Sequence, residues 1–177
     1  MPESIEAMAD ERFRALRRMR PTGPYVLGGH CNGAFVALEI ARQLVELGEE
    51  VPMVVLLDAK APQRAASASR SIKTAKRNPV PQVPATPGAI NPGHGKRDMF
   101  ARYRAAVASY EPAPYSGRIV VLRSETTRDR RPDLGWSLLG AGVETYTIPG
   151  DHHSSITRHV AETAARIRTC IETAGSP

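Results

Sequence analysis

The chain contains 177 residues, enough for a sizeable core, and we expect residues 1–177 to form a single domain. Its formal net charge is +6, but aromatic residues make up only 5% and no zinc-finger spacing occurs. The composition therefore argues against nucleic acid as a partner and leaves an acidic protein as a candidate. Two cysteines form no disulfide framework, and no secretory signal or membrane-length apolar run is found, so we expect a cytoplasmic protein without membrane contact.

The first element is predicted to be a helix over residues 4–20, because Ser4 can cap it and apolar residues recur near helical spacing. A segment with two prolines and a glycine, residues 21–24, ends this helix. A short apolar run, residues 25–27, follows and predicts the first strand.

A tight turn connects this strand to the next helix. Its pattern is that of the nucleophile elbow G-x-S-x-G, with Cys31 in the serine position. Gly29 and Gly33 stand two positions before and after Cys31, where a side chain is expected to collide with the neighbouring strand or helix. The turn places Cys31 at a helix N-terminus, where the helix dipole favours a negatively charged sulfur.

The next elements alternate between helix and strand. An apolar helix is predicted over residues 32–47, and a nearly continuous apolar strand over residues 51–58 ends at Asp58. This alternation is typical of an α/β fold whose functional sites lie at the carboxyl ends of parallel strands. Residues 60–96 are rich in Pro, Ala, Ser, Lys and Arg, and predict a long loop or lid.

The second half of the chain repeats this alternation. The predicted elements, in chain order, are a helix over residues 97–110, strands over 117–123 and 143–148, and a final helix over 155–174. A polar loop follows the first of these strands, and a turn follows the second. We therefore expect a mostly parallel sheet flanked by helices.

A cysteine nucleophile needs a base to accept its proton, and the base needs an orienting acid. His152 and His153 follow the last strand, which is the expected place for the base. Asp58 and Glu125 each follow a strand, and both are candidates for the acid.

With these features, the chain resembles the thioesterase domains of polyketide synthases and nonribosomal peptide synthetases, within the α/β-hydrolase superfamily. The segments that carry the resemblance, together covering nearly everything outside the lid, are residues 4–9, 23–33, 110–118, 135–136 and 148–152. The resemblance implies a catalytic set of Cys31, Asp58 and His152, with the backbone N–H of Asn32 as an oxyanion donor. It also implies that an acyl or peptidyl carrier protein delivers the small-molecule acyl substrate as a phosphopantetheine thioester. No permanently bound cofactor and no metal are expected.

Two features depart from that family. The usual nucleophile is serine rather than cysteine. The family also carries a strand region, with a second oxyanion donor, before the segment that resembles residues 4–9. The chain begins too late to contain this region, so we expect an N-terminally shortened variant or fragment whose site a second copy or an upstream segment completes.

These observations favour an enzyme that accepts an acyl or peptidyl chain on Cys31 and releases it by transfer or cyclisation. An acyl–cysteine thioester keeps more transfer potential than an ester, and amines attack thioesters readily. A hydrolytic editing thioesterase is one alternative. A non-catalytic module that binds a carrier protein or an acyl chain is another.

Overall fold

Four parallel strands form one sheet in the order β1-β2-β3-β4. The computed structural model describes residues 4–62, 96–140 and 142–174. The strands are β1 (Val26–His30), β2 (Met53–Leu57), β3 (Ile119–Ser124) and β4 (Val143–Ile148). The helices are α1 (Ile5–Met19), α2 (Gly33–Glu46), α3 (Lys96–Ser109) and α4 (Val160–Ala174), with short 3-10 turns at Trp136–Leu138 and Ser154–Ile156. The predicted lid, residues 60–96, lies outside the described residues except at its two ends.

The parallel register brings the ends of the strands to one edge of the sheet. His30 is paired with Leu57, and Leu57 with Leu122. The residues that follow these positions, Cys31 and Asp58 among them, therefore lie side by side at the carboxyl edge. The predicted α/β fold with a parallel sheet and flanking helices is confirmed.

Apolar side chains cover both faces of the central strands, as their uninterrupted apolar sequences predict. The larger core, on the side of α1 and α2, includes Leu38, Leu44, Val54, Leu56 and Val121. The smaller core, against α4, is formed by Met53, Val55, Val120, Leu122, Ile148 and Cys170. The second cysteine is thus a buried packing residue in the final helix.

Trp136 connects the loop after β3 to the segment after β2. Its ring is fully buried, and its Nε1–H donates a hydrogen bond to the carbonyl oxygen of Ala59 at 2.6 Å. The ring centroid lies 6.0 Å from that of Phe35 on α2. These contacts anchor the backbone that directly follows Asp58.

The final helix starts later than predicted. It begins at Val160 rather than at residue 155, and the 3-10 turn Ser154–Ile156 precedes it. Oδ1 of Asp151 accepts the backbone N–H groups of His153 and Ser154, at 2.9 and 2.8 Å. The turn that follows is of the 3-10 type, with the N–H groups of Ile156 and Thr157 bonded to the carbonyl oxygens three residues earlier, and it is not the first turn of α4. The prediction for this boundary was therefore wrong.

Candidate active site

The elbow turn places Cys31 at its tip in a left-handed conformation, with φ of 54°. The backbone N–H of Cys31 donates to the carbonyl oxygen of Leu57 at 2.9 Å, which extends the pairing of β1 with β2. A Cβ atom on Gly29 would lie 2.3 Å from the carbonyl carbon and oxygen of Gly33, so the first glycine is required for close approach. The expectation for Gly33 was wrong, because a Cβ there meets nothing within 4 Å.

His152 and Asp58 form a hydrogen bond between Nδ1 and Oδ2 at 2.7 Å. The Asp58 side chain is 2% exposed and that of His152 is 49% exposed. Because the carboxylate accepts the hydrogen on Nδ1, Nε2 of the neutral ring is left with its lone pair, as a base requires. The structure thus brings together the two residues that the resemblance assigned to these roles.

The alternative acid and base candidates make other contacts. Oε1 of Glu125 accepts the backbone N–H of Gly150 at 2.9 Å, and its side chain is exposed. The backbone N–H of His153 belongs to the Asp151 turn, and its side chain is exposed. Neither residue shares a hydrogen bond with Asp58 or His152 in the described part of the chain.

Two residues that the sequence reasoning missed hold the other oxygen of Asp58. The Thr127 hydroxyl donates to Oδ1 at 2.6 Å, and the backbone N–H of Ser124 donates at 3.0 Å. The Ser124 hydroxyl lies 2.6 Å from that of Thr127. Burial opposes ionisation of Asp58, but the hydrogen bonds from Thr127, Ser124 and His152 outweigh it and hold the pKa of the carboxyl below its usual range. The signal for these two residues in the sequence was the polar loop after β3, because β3 lies beside the strand that precedes Asp58.

His30 was also missed. Its Nε2 lies 2.9 Å from the main-chain carbonyl oxygen of His152, and the two rings stack with centroids 4.4 Å apart. Its position immediately before Cys31 was the only signal in the sequence. The contact fixes the backbone and ring of His152 on the side where β1 ends.

Cys31, Asn32, Asp58 and His152 line one pocket of about 560 Å³. The backbone N–H of Asn32 has no acceptor among the described residues, which leaves it available to a ligand. The pocket thus combines a thiol, an imidazole hydrogen-bonded to a buried carboxylate, and a free N–H donor. This arrangement can form and stabilise a tetrahedral intermediate of acyl transfer.

The described residues contain neither a metal-binding cluster nor a membrane-spanning helix. In the described ranges, no group of three His, Cys, Asp or Glu side chains is placed to hold a metal ion. No helix within those ranges is long and apolar enough to cross a bilayer.

A family model described as the thioesterase domain matches residues 1–170. The chain belongs to the thioesterase domain family. The solved NocB thioesterase domain from the nocardicin cluster is 26% identical, with a TM-score of 0.71 over 97% of this chain and 75% of that chain. The resemblance inferred from the elbow and histidine segments is therefore confirmed at the level of the family.

Other relatives are large synthases, of which only a small part matches this thioesterase domain. A 58-residue stretch is 43% identical to the non-reducing polyketide synthase terA of Aspergillus terreus, covering 33% of this chain and 3% of that protein. The solved structure of holo-AB3403, a four-domain nonribosomal peptide synthetase, is 25% identical, with a TM-score of 0.67 over 99% of this chain and 16% of that chain. The chain thus spans a small fraction of the curated synthases that it matches.

Proposed function

We propose that this thioesterase domain accepts an acyl or peptidyl chain from a carrier-protein phosphopantetheine thioester onto Cys31, and releases it by transfer or cyclisation. The observation that carries the proposal is the hydrogen bond between His152 and Asp58 in the pocket that Cys31 lines. Such a pair prepares a base beside a nucleophile at a strand-to-helix turn.

The loading step exchanges one thioester for another. His152 accepts the Cys31 proton on Nε2, and the sulfur attacks the thioester carbonyl carbon. The resulting oxyanion accepts a hydrogen bond from the backbone N–H of Asn32. The intermediate collapses as the bond between the carbonyl carbon and the pantetheine sulfur breaks, and His152 returns the proton to that sulfur. Asp58 keeps the imidazolium oriented and compensates its charge throughout.

The release step consumes the acyl–Cys31 thioester. An amine or hydroxyl of the substrate, or of a second acceptor, attacks the carbonyl carbon and gives its proton to His152. The bond between the carbonyl carbon and the Cys31 sulfur then breaks, and the sulfur recovers the proton. The acyl group keeps most of its transfer potential when it passes from one thioester to another. An amine therefore remains a good acceptor for the acyl group on Cys31.

The proposal of a carrier protein as partner is supported by the kinds of protein in which the relatives occur. AB3403 is a multidomain peptide synthetase, and terA is a polyketide synthase. The NocB thioesterase domain was solved as a covalent complex with a fluorophosphonate analogue of nocardicin G. These relatives support a covalent step on a biosynthetic chain in this domain as well.

Intact-mass spectrometry of the protein incubated with an acyl-carrier thioester tests the proposal. We expect a mass gain equal to the acyl group that maps to Cys31 and is absent from Cys31→Ala. Binding of the carrier without a mass gain under single-turnover conditions would favour the non-catalytic module. Product analysis with an acyl chain that bears a terminal amine distinguishes hydrolysis from release by transfer or cyclisation. Free acid as the sole product indicates hydrolysis.

A further inference from the structure

The acidic groups of the catalytic pocket are already engaged. Asp58 is bonded to His152, and Asp151 accepts backbone N–H groups of its own turn. Two cationic side chains, Lys60 and Arg128, also line the pocket. Neither carboxylate of the lining is paired with either of these cations among the described residues.

The loop after β3 fixes the backbone on both sides of Arg128. The Arg123 guanidinium donates to the carbonyl oxygen of Thr127 at 2.7 Å and to that of Asp129 at 2.9 Å. Because these carbonyls flank Arg128 in the chain, the loop fixes the backbone of this residue at the point where it lines the pocket. A loop clamped in this way presents Arg128 with little freedom of its backbone.

The nearest acid in sequence is occupied by other cations. Asp129 pairs with Arg131 at 3.2 Å and with Lys60 at 3.5 Å. The hydrogen bonds from the Arg131 side chain and backbone hold the pKa of Asp129 far below its usual range. Among the described residues, the Arg128 guanidinium has no hydrogen-bond or ion-pair partner.

We infer that Arg128 binds an anionic group of the substrate at the wall of the catalytic pocket. A guanidinium matches phosphate and carboxylate oxygens with two parallel N–H donors. The inference rests on the proposed function, which supplies two sources of such an anion. One is the phosphate of the phosphopantetheine arm, and the other is a carboxylate on the acyl chain. Arg128 thereby selects substrates by charge, in the pocket that Cys31 also lines.

Binding to the unreactive Cys31→Ala protein tests the inference without any turnover. The probes are two matched pairs, 4′-phosphopantetheine with pantetheine, and succinyl-pantetheine with butyryl-pantetheine, measured by ligand-observed NMR. We expect the anionic member of one pair to bind more tightly than its neutral partner. In Arg128→Gln, the ratio of the two dissociation constants should fall by about three- to tenfold. Arg130→Gln removes the same charge from an exposed residue of the same loop that does not line the pocket, and should keep the preference.

The affected pair identifies the source of the anion, the arm or the acyl chain. The inference is wrong if neither anionic probe binds better than its neutral partner to protein that carries Arg128. It is also wrong if Arg128→Gln leaves the preference intact, or if Arg130→Gln removes it equally. Because no covalent step is needed, an anion preference that depends on Arg128 can hold even if Cys31 is never acylated. Failure of the proposed function is thus distinguishable from failure of this inference.

Discussion

Nε2 of His30 lies 2.9 Å from the main-chain carbonyl oxygen of His152, and the two imidazole rings stack at 4.4 Å. A carbonyl oxygen only accepts, so Nε2 of His30 must carry a hydrogen. The residue before Cys31 thus holds the backbone of His152. The end of β1 and the loop after β4 are joined at the site by this contact, across a sheet in which β1 and β4 occupy opposite edges.

We predict that His30→Phe, which keeps an aromatic ring and loses the donor, lowers kcat about tenfold with little change in KM. The reason is that the base loses its fixed position while the substrate pocket keeps its shape. His30→Gln retains an N–H donor of similar reach and should recover part of the loss. Steady-state kinetics with an acyl-carrier substrate measures both variants. A wild-type kcat in His30→Phe would show that the contact does not position His152.

Asp58→Asn should lower kcat by roughly 10²–10⁴, because an amide cannot stabilise the imidazolium and favours the wrong tautomer of His152. Glu125→Gln is the matched control, since glutamine still offers an acceptor to the Gly150 N–H. Its kcat should stay within about twofold of the wild type, as expected for an exposed position. The reverse pattern of the two kcat values would assign the acid to Glu125.

Thr127→Val removes the hydroxyl donor to Asp58 and should lower the free energy of unfolding at pH 7 by about 1–3 kcal/mol. The pKa of Asp58 is lower in the folded than in the unfolded protein, so its contribution is complete above the ordinary aspartate pKa of about 3.9. That contribution disappears as the pH falls through the folded value.

The stability gap between Thr127→Val and the wild type should therefore begin to narrow as the pH falls below about 4, and it should narrow furthest below the lowered pKa of Asp58 in the folded wild type, where this carboxyl is protonated in both proteins. Urea unfolding at several pH values measures this gap. Thr126→Val, in the adjacent exposed position, should change stability by less than about 0.5 kcal/mol at every pH. A gap independent of pH would mean that Thr127 does not act through the Asp58 charge.

The two glycines of the elbow should respond differently to alanine. A methyl group on Gly29 meets backbone atoms of Gly33 that cannot move aside, so Gly29→Ala should destabilise the fold by about 1–3 kcal/mol or more. A methyl group on Gly33, at the start of α2, would meet nothing within 4 Å. Gly33→Ala should therefore be neutral, or stabilising by up to about 1 kcal/mol. Urea midpoints of the two variants decide, and equal losses would contradict the elbow geometry.

Cys31→Ser should fold, because the two side chains are close in volume, but it should load more slowly from a carrier thioester. Its acyl intermediate is an ester, so the chain should stall on the protein or pass to water rather than to an amine. Product analysis with the carrier-bound substrate measures this shift. If wild type and Cys31→Ser both give only free acid at similar rates, the function is plain hydrolysis.

Much of the scaffold follows from local signals. The apolar strands, the glycine at position 29 and the order of elements predict a parallel sheet whose ends carry Cys31 and Asp58. These signals suffice because strand burial and turn geometry depend on short stretches of sequence.

The partners of the site residues could not be predicted in the same way. Thr127 lies 69 residues from Asp58 and His30 lies 122 residues from His152, so only the assembled sheet brings them together. The start of α4 was missed for a different reason. Asp151 and Ser154 exchange side-chain-to-backbone hydrogen bonds like those that start a helix, but a short 3-10 turn follows them and α4 begins only at Val160.

The buried Trp136 gives this protein a built-in spectroscopic reporter. It is the only tryptophan in the 177 residues, and its indole N–H holds the carbonyl of Ala59, next to Asp58. Its fluorescence therefore reports on the order of the backbone beside Asp58, without any label. A variant that keeps the native emission spectrum and loses activity has kept this part of its framework, so its defect lies elsewhere in the site.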